Sequence, residues 1–201
     1  MLPHASEPMV VRPVVLEGRH VRLEPLTLDH HARLCEVGLD EEIWRWYLAP
    51  VLTPQEMMGY IATALAEQSA GVSLPFVTID RASGRVVGGT SYLNIAAPHR
   101  RLEIGSTWIA PPWQRTAINT EAKLLMLGHA FEVLGCVRVE FKTDSLNDRS
   151  RAAILRLGAT EEGTHRNHMI TATGRLRHSV YFSIIDSEWP TIRAALLEKL
   201  S

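Results

Sequence analysis

One acidic residue, Glu103, interrupts the run Leu102-Glu-Ile-Gly-Ser-Thr-Trp-Ile109, and a Pro-Pro-Trp turn follows it. Gln114-Arg115-Thr116-Ala117-Ile118-Asn119-Thr120 then leads into a helix pattern. A carboxylate on a strand can accept a proton, and the free N–H groups of a helix start attract an anion such as a pyrophosphate. Together they could hold a phosphorylated cofactor beside a catalytic carboxylate. Glu103 could equally be a strand-face carboxylate paired with Arg100 or Arg101.

Other groups carry weaker signals. Asn147 is a natural helix cap and Ser150 a first-turn residue, with Arg149 and Arg151 interleaved. Trp44, Trp46 and Tyr47, beside Glu41 and Glu42, could wall a site for a cationic substrate or serve as core. His165 and His168 lack a third ligand in a metal pattern, so no metal is expected. Cys136 opens an apolar strand and reads as a small buried hydrophobe, which favours direct transfer over a covalent enzyme intermediate.

The elements that must position these residues follow from period and punctuation. Alternation marks strands over 18–26, 76–80, 86–95, 102–109 and 137–142, and a long hairpin across Thr173-Gly174 joins strands over 159–170 and 179–185. Helix starts are expected at Thr27 or Asp29, at Thr53-Pro-Gln-Glu56, at Asn147 and at Ser187. The clearest helix spans 120–134, with Gly135 closing it. Strand, two helices, three strands, helix, strand, helix and two strands imply a mixed sheet with helices on both faces.

Composition excludes whole classes of function. The chain has 201 residues and a net charge of −1, so one domain is sufficient and a general nucleic-acid binder is not expected. Residues 1–68 hold five Arg against ten acids, whereas 138–178 hold eight Lys and Arg against five acids. An acidic front half facing substrate and a basic back half facing an anion would explain that skew. Two distant cysteines suggest a reducing compartment, and no targeting or membrane segment is apparent, so a cytoplasmic protein is expected.

The run Gln114-x-x-Ala117-x-Asn119 resembles the acyl-CoA loop of the GNAT N-acetyltransferase superfamily, Gln/Arg-x-x-Gly-x-Gly/Ala. Glu103-Ile-Gly105, Asn119-Thr-Glu-Ala-Lys123, Asn147-x-x-Ser150 and Arg156-Leu-Gly-Ala159 resemble its Rim-type branch, which includes ribosomal-protein N-terminal acetyltransferases. The element order is similar from Gly18 to Ile185. The resemblance implies an α/β (α+β) fold with a mixed, mostly antiparallel sheet of about seven strands. It implies an arm over 1–17, an acetyltransferase domain over 18–186 and a C-terminal helix over 187–201.

It also implies acetyl transfer from acetyl-CoA to a primary amine, whether a protein N-terminus, a lysine or a small amine. Glu103 would be the base, and backbone amides near 107–109 would hold the thioester oxygen. Trp108, Ile109 and Ala110 would pair with pantetheine, Gln114 to Thr120 would hold the pyrophosphate, and Arg149 would reach a phosphate. Asn147 and Ser150 would serve the sulfur, with Ser150 or water as proton donor. Ala117 and Asn119 depart from the loop pattern. If residue 117 requires positive φ the loop is reshaped, and a non-catalytic acyl-CoA-binding or sensing module is the alternative. The final hairpin is a candidate homodimer contact.

Overall fold

Alternating apolar and polar residues build one eight-stranded sheet in the computed structural model, which describes residues 8–201. Its strands are β1 (Leu16–Glu17), β2 (Val21–Pro25), β3 (Leu74–Asp80), β4 (Val86–Ala96), β5 (Arg101–Ile109), β6 (Arg138–Asp144), β7 (Thr160–Ile170) and β8 (Leu176–Ile185). Their spatial order is β1-β2-β3-β4-β5-β6-β8-β7, and every pairing is antiparallel except β5–β6. The mixed, mostly antiparallel sheet expected from the sequence is therefore present. Its extra strand, β1, comes from the segment before Gly18, where Met9 and Leu16 also join the core.

The helices are α1 (His31–Gly38), α2 (Glu41–Trp44), α3 (Pro54–Ser69), α4 (Ala117–Gly128), α5 (Asp148–Arg156) and α6 (Trp189–Glu198). α3 starts where its sequence spacing indicates: Thr53 and Glu56 form a reciprocal capping box with Pro54 in the first turn. Thr27 closes a short 3-10 turn ahead of α1 with the His30 ring, and Asp29 takes no part in that box. Ser187 does not cap α6, which starts from Glu188 without a side-chain cap. The Ser187 N–H is instead held by Asp186 Oδ1 at 2.9 Å.

α4 begins at Ala117, three residues ahead of the apolar pattern, and beyond Gly128 it widens into a π turn over His129–Val133. Thr116 caps it, its hydroxyl accepting from the Ile118 N–H. The early start follows because residues 117–119 need only αR backbone, while the left-handed conformation falls on Arg115 (φ 62°).

Helices cover the two faces unevenly. α4 and α6 pack with Leu102, Ile104, Val139, Phe141, Val180 and Phe182 in the larger core, while α1, α2 and α3 enclose a second core around Val77, Ile79, Val86 and Trp108. Glu103, Arg138, Glu140, Lys142 and Tyr181 alternate with those apolar residues, so pleating turns them to the opposite face. β4 and β5 approach closely at Gly88, where a Cβ would lie 2.1 Å from the Trp108 carbonyl oxygen.

Candidate active site

Two bulges bracket Glu103. Between Leu93 and Ala96 the β4–β5 ladder gains a residue on β4, and between Gly89 and Ser91 it gains one on β5. Asn94 (φ 49°) and Ser106 (φ 48°) take the left-handed backbone that these two irregularities need. The first bulge carries the Asn94 Nδ2 to within 2.8 Å of Glu103 Oε2, to which it donates. Lys142 Nζ lies 3.4 Å from the same oxygen, and Glu103 is only 2 % exposed.

Glu103 opens on a cleft of about 680 Å³ that Asn94, Arg101, Glu140, Glu162, His165 and Tyr181 help to line. Lys142 Nζ sits 5.8 Å from the Tyr181 ring centroid, and the His165 ring packs tilted against the same ring with centroids 4.4 Å apart. Burial first, then the carboxylates of Glu103 and Glu140, pushes the Tyr181 phenol above its usual value. Arg101 and Arg138 both pair with Glu140, and Arg138 also pairs with Glu162. The cleft floor is thus a chain of compensated charges.

The second bulge coincides with a splay in the sheet. β5 and β6 pair only over Arg101↔Arg138, Leu102↔Val139 and Glu103↔Glu140, so beyond Glu103 the β6-facing edge of β5 has no strand partner. Strand β6 stays with β8 through Asp144 and leads into α5, while β5 leads through Pro111–Trp113 into α4. Both helices therefore begin at the mouth of the gap. Asn147 Oδ1 caps α5 by accepting from the Ser150 N–H at 3.0 Å. Gln114 donates to the Ile109 carbonyl at 2.8 Å and accepts from Arg149 Nη1 at 2.7 Å, spanning the mouth from one helix start to the other.

On the α4 side, the hydroxyls of Thr90 and Thr107 lie 2.8 Å apart, and Lys123 Nζ donates to them at 3.0 and 2.6 Å. Desolvation lowers the Lys123 amine to about 7. On the α3 side the Tyr60 phenol faces Ser106 and Trp108; burial raises its pKa, and those two partners partly offset that rise.

The residues singled out in the sequence divide between the gap, the cleft and the core. Gln114, Thr116, Asn119, Asn147, Arg149 and Ser150 gather around the two helix starts, and Ile109 lies on the unpaired edge. Trp108 sends its ring into the second core and pairs through its backbone with Gly89 on β4, so it differs from expectation. Ala110 does too, because its N–H already donates to Val87 O at 2.8 Å. Ile118 and Thr120 are buried, and Ala117 opens the helix. Glu103 pairs with neither Arg100 nor Arg101; Asn94 and Lys142 are its partners.

None of Glu41, Trp44, Trp46 and Tyr47 lines the cleft at Glu103. Trp44 is 3 % exposed, donates to the Gly38 carbonyl at 2.7 Å and meets Tyr47, Tyr60 and Trp108 edge-on or tilted. Glu41 is exposed, and Trp46 presents its carbonyl to Arg177. The basic back half is mostly compensated: Arg138, Arg151, Arg175 and Arg177 all have carboxylate partners. The sequence assigns no role to Asn94, Lys142, Tyr181 or Lys123, the last of which enters only as the end of the Asn119-Thr-Glu-Ala-Lys123 motif. Only Lys123 left a signal, a cation at a helical position between Ala122 and Met126 that the fold buries.

Among the described residues no cluster of ligands could hold a metal ion, and no helix is long and apolar enough to cross a membrane. The acetyltransferase (GNAT) domain family matches residues 20–160. YdaF of Bacillus subtilis, provisionally named a ribosomal N-acetyltransferase, is 34% identical over 53% of this chain and 57% of its own length. A GCN5-related N-acetyltransferase from Brucella melitensis superposes with a TM-score of 0.89 at 34% identity, covering 96% of this chain and 88% of that one. Mycobacterium smegmatis RimJ, solved in complex with CoA-disulfide, shares the fold with a TM-score of 0.81 at 22% identity, covering 96% of each chain.

Proposed function

This chain belongs to the acetyltransferase (GNAT) family, and we propose that it moves an acetyl group from acetyl-CoA to a primary amine by direct transfer in a ternary complex. The observation that carries this reading is a nearly buried carboxylate, Glu103, facing an open cleft from the same strand whose edge is unpaired beyond it. The residues present fit an acyl-CoA. A peptide-like pantetheine can complete the unpaired edge of β5, and the two capped helix starts at the mouth of the gap can hold phosphates. Asn119 Oδ1 is buried there without a hydrogen-bond partner among the described residues.

Acetyl-CoA supplies the activated thioester when bound. Glu103 takes the proton from the acceptor nitrogen, directly or through water, as the C–N bond forms and the C–S bond breaks. Trp108 pairs with Gly89 on β4, so alternation turns the Ile109 N–H to the free edge, where it holds the carbonyl oxygen as negative charge develops. Ser150 or a water returns a proton to the leaving thiolate, with Asn147 holding the turn that presents it. Arg149 and the first turn of α4 hold the phosphates. The acceptor enters from the cleft on the Tyr181 and His165 side.

Acceptors to assay are a peptide α-amine, a lysine side chain and a small polyamine, the α-amine first because of the name given to YdaF. Thiol release with one of these, falling at least about a hundredfold in Glu103→Gln while CoA affinity is kept, supports the reading. Tight CoA binding with no thiol release from any amine would replace it with a non-catalytic acyl-CoA-binding module. Ala117 and Asn119 both lie in regular helix, so neither departure from the loop pattern requires positive φ.

A further inference from the structure

Lys123 is 5 % exposed, and among the described residues no carboxylate pairs with it. An amine buried without a counter-charge is unfavourable, and an apolar side chain of similar volume is commonly better for stability. Its only hydrogen-bond partners among the described residues are the hydroxyls of Thr90 and Thr107. Thr107 lies immediately after Ser106, within the β5 bulge where the strand edge is freed. The Thr107 hydroxyl is additionally 3.3 Å from the Gly105 carbonyl, so the two ends of the bulge meet through one side chain.

We propose that Lys123 is a positioning residue for acetyl transfer. Acting through Thr107, it fixes the bulge so that the N–H groups this stretch turns to the free edge, Ile109 foremost, aim at the thioester oxygen. The proposal rests on the acetyl-CoA reading above. It assigns Lys123 no contact with the reacting atoms. Its expected signature is loss of carbonyl recognition with CoA recognition intact, because the phosphates and pantetheine are held elsewhere.

The test compares wild type, Lys123→Met, Thr107→Ser and Thr107→Val by calorimetry with acetyl-CoA and with CoA, and by steady-state kinetics. Lys123→Met is expected to keep its CoA affinity, to lose any preference for acetyl-CoA over CoA, and to lower kcat at least about tenfold with KM changed less than about threefold. Thr107→Ser, which keeps the hydroxyl that Lys123 meets, should retain more kcat than Thr107→Val. Thr107→Val should reproduce Lys123→Met, with no further fall in the double variant.

Unchanged kcat and affinities in Lys123→Met overturn the proposal, as does a parallel loss of CoA affinity, which would mark a merely structural role. Should Lys123→Met not fold, Thr107→Val decides alone. If wild type binds both ligands but acetylates no amine, the catalytic reading fails, and the affinity ratio still judges Lys123. Equal wild-type affinity for acetyl-CoA and CoA overturns the proposal outright.

Discussion

Asn94 Nδ2 donates to Glu103 Oε2 at 2.8 Å from a bulged, left-handed position on the neighbouring strand. The amide holds that carboxylate oxygen in one orientation at the cleft. Asn94→Ala removes the donor, and kcat is expected to fall about tenfold with acetyl-CoA KM changed less than about threefold. An unchanged kcat would detach this contact from the rate.

Arg149 bridges to Gln114 across the mouth of the splay. Arg149→Ala removes a cation from the proposed phosphate site without touching the cleft at Glu103. Acetyl-CoA KM should rise about tenfold, or ~1.4 kcal/mol, with kcat nearly unchanged, and the difference should shrink at high salt. A fall in kcat alone would place Arg149 elsewhere in the reaction.

Burial lowers the Lys123 amine from its ordinary 10.5 to about 7. Its folded-state pKa lies below the unfolded one, so across that window the unfolded chain binds more protons and stability rises with pH. Below about 7 the folded state carries the full cost of a buried ammonium. Denaturant midpoints for wild type and Lys123→Met should differ most near pH 6.5 and converge toward pH 10, the variant being the more stable at the acid end.

Glu121 accepts from the N–H groups of Arg19, His20 and Val21 at 2.8, 2.6 and 2.8 Å, fastening α4 to the turn between β1 and β2. A Cβ on Gly18 would meet its carboxyl carbon at 2.4 Å. Glu121→Gln and Gly18→Ala should each cost at least about 2 kcal/mol in chemical denaturation while sparing the kinetics of the folded fraction. Altered kcat in well-folded Glu121→Gln would give Glu121 a share in catalysis.

Trp44→Ala empties a large volume in the second core, so a loss of about 3–5 kcal/mol is expected. Acceptor KM measured below the unfolding transition should stay within about twofold. A specific rise in acceptor KM would restore the substrate-wall reading of this aromatic cluster.

Local chemistry alone was enough for much of this protein. The capping box at Thr53 and Glu56, the Asn147 cap, the period-two strands and the Pro-Pro-Trp turn ahead of α4 depend on neighbours within a few residues, so they were readable in the chain itself. Glu103 stood out for the same reason, a carboxylate on a strand with apolar neighbours. Register, splay and burial depend on segments far apart in sequence. Only the tertiary structure could pair Asn94 with Glu103, end the β5–β6 ladder at Glu140, withdraw Trp44 into a core, or bring Lys123 under the Thr107 bulge. The reason is physical: a backbone edge is free, or a lysine is desolvated, only because of what other strands and helices do or do not place beside it.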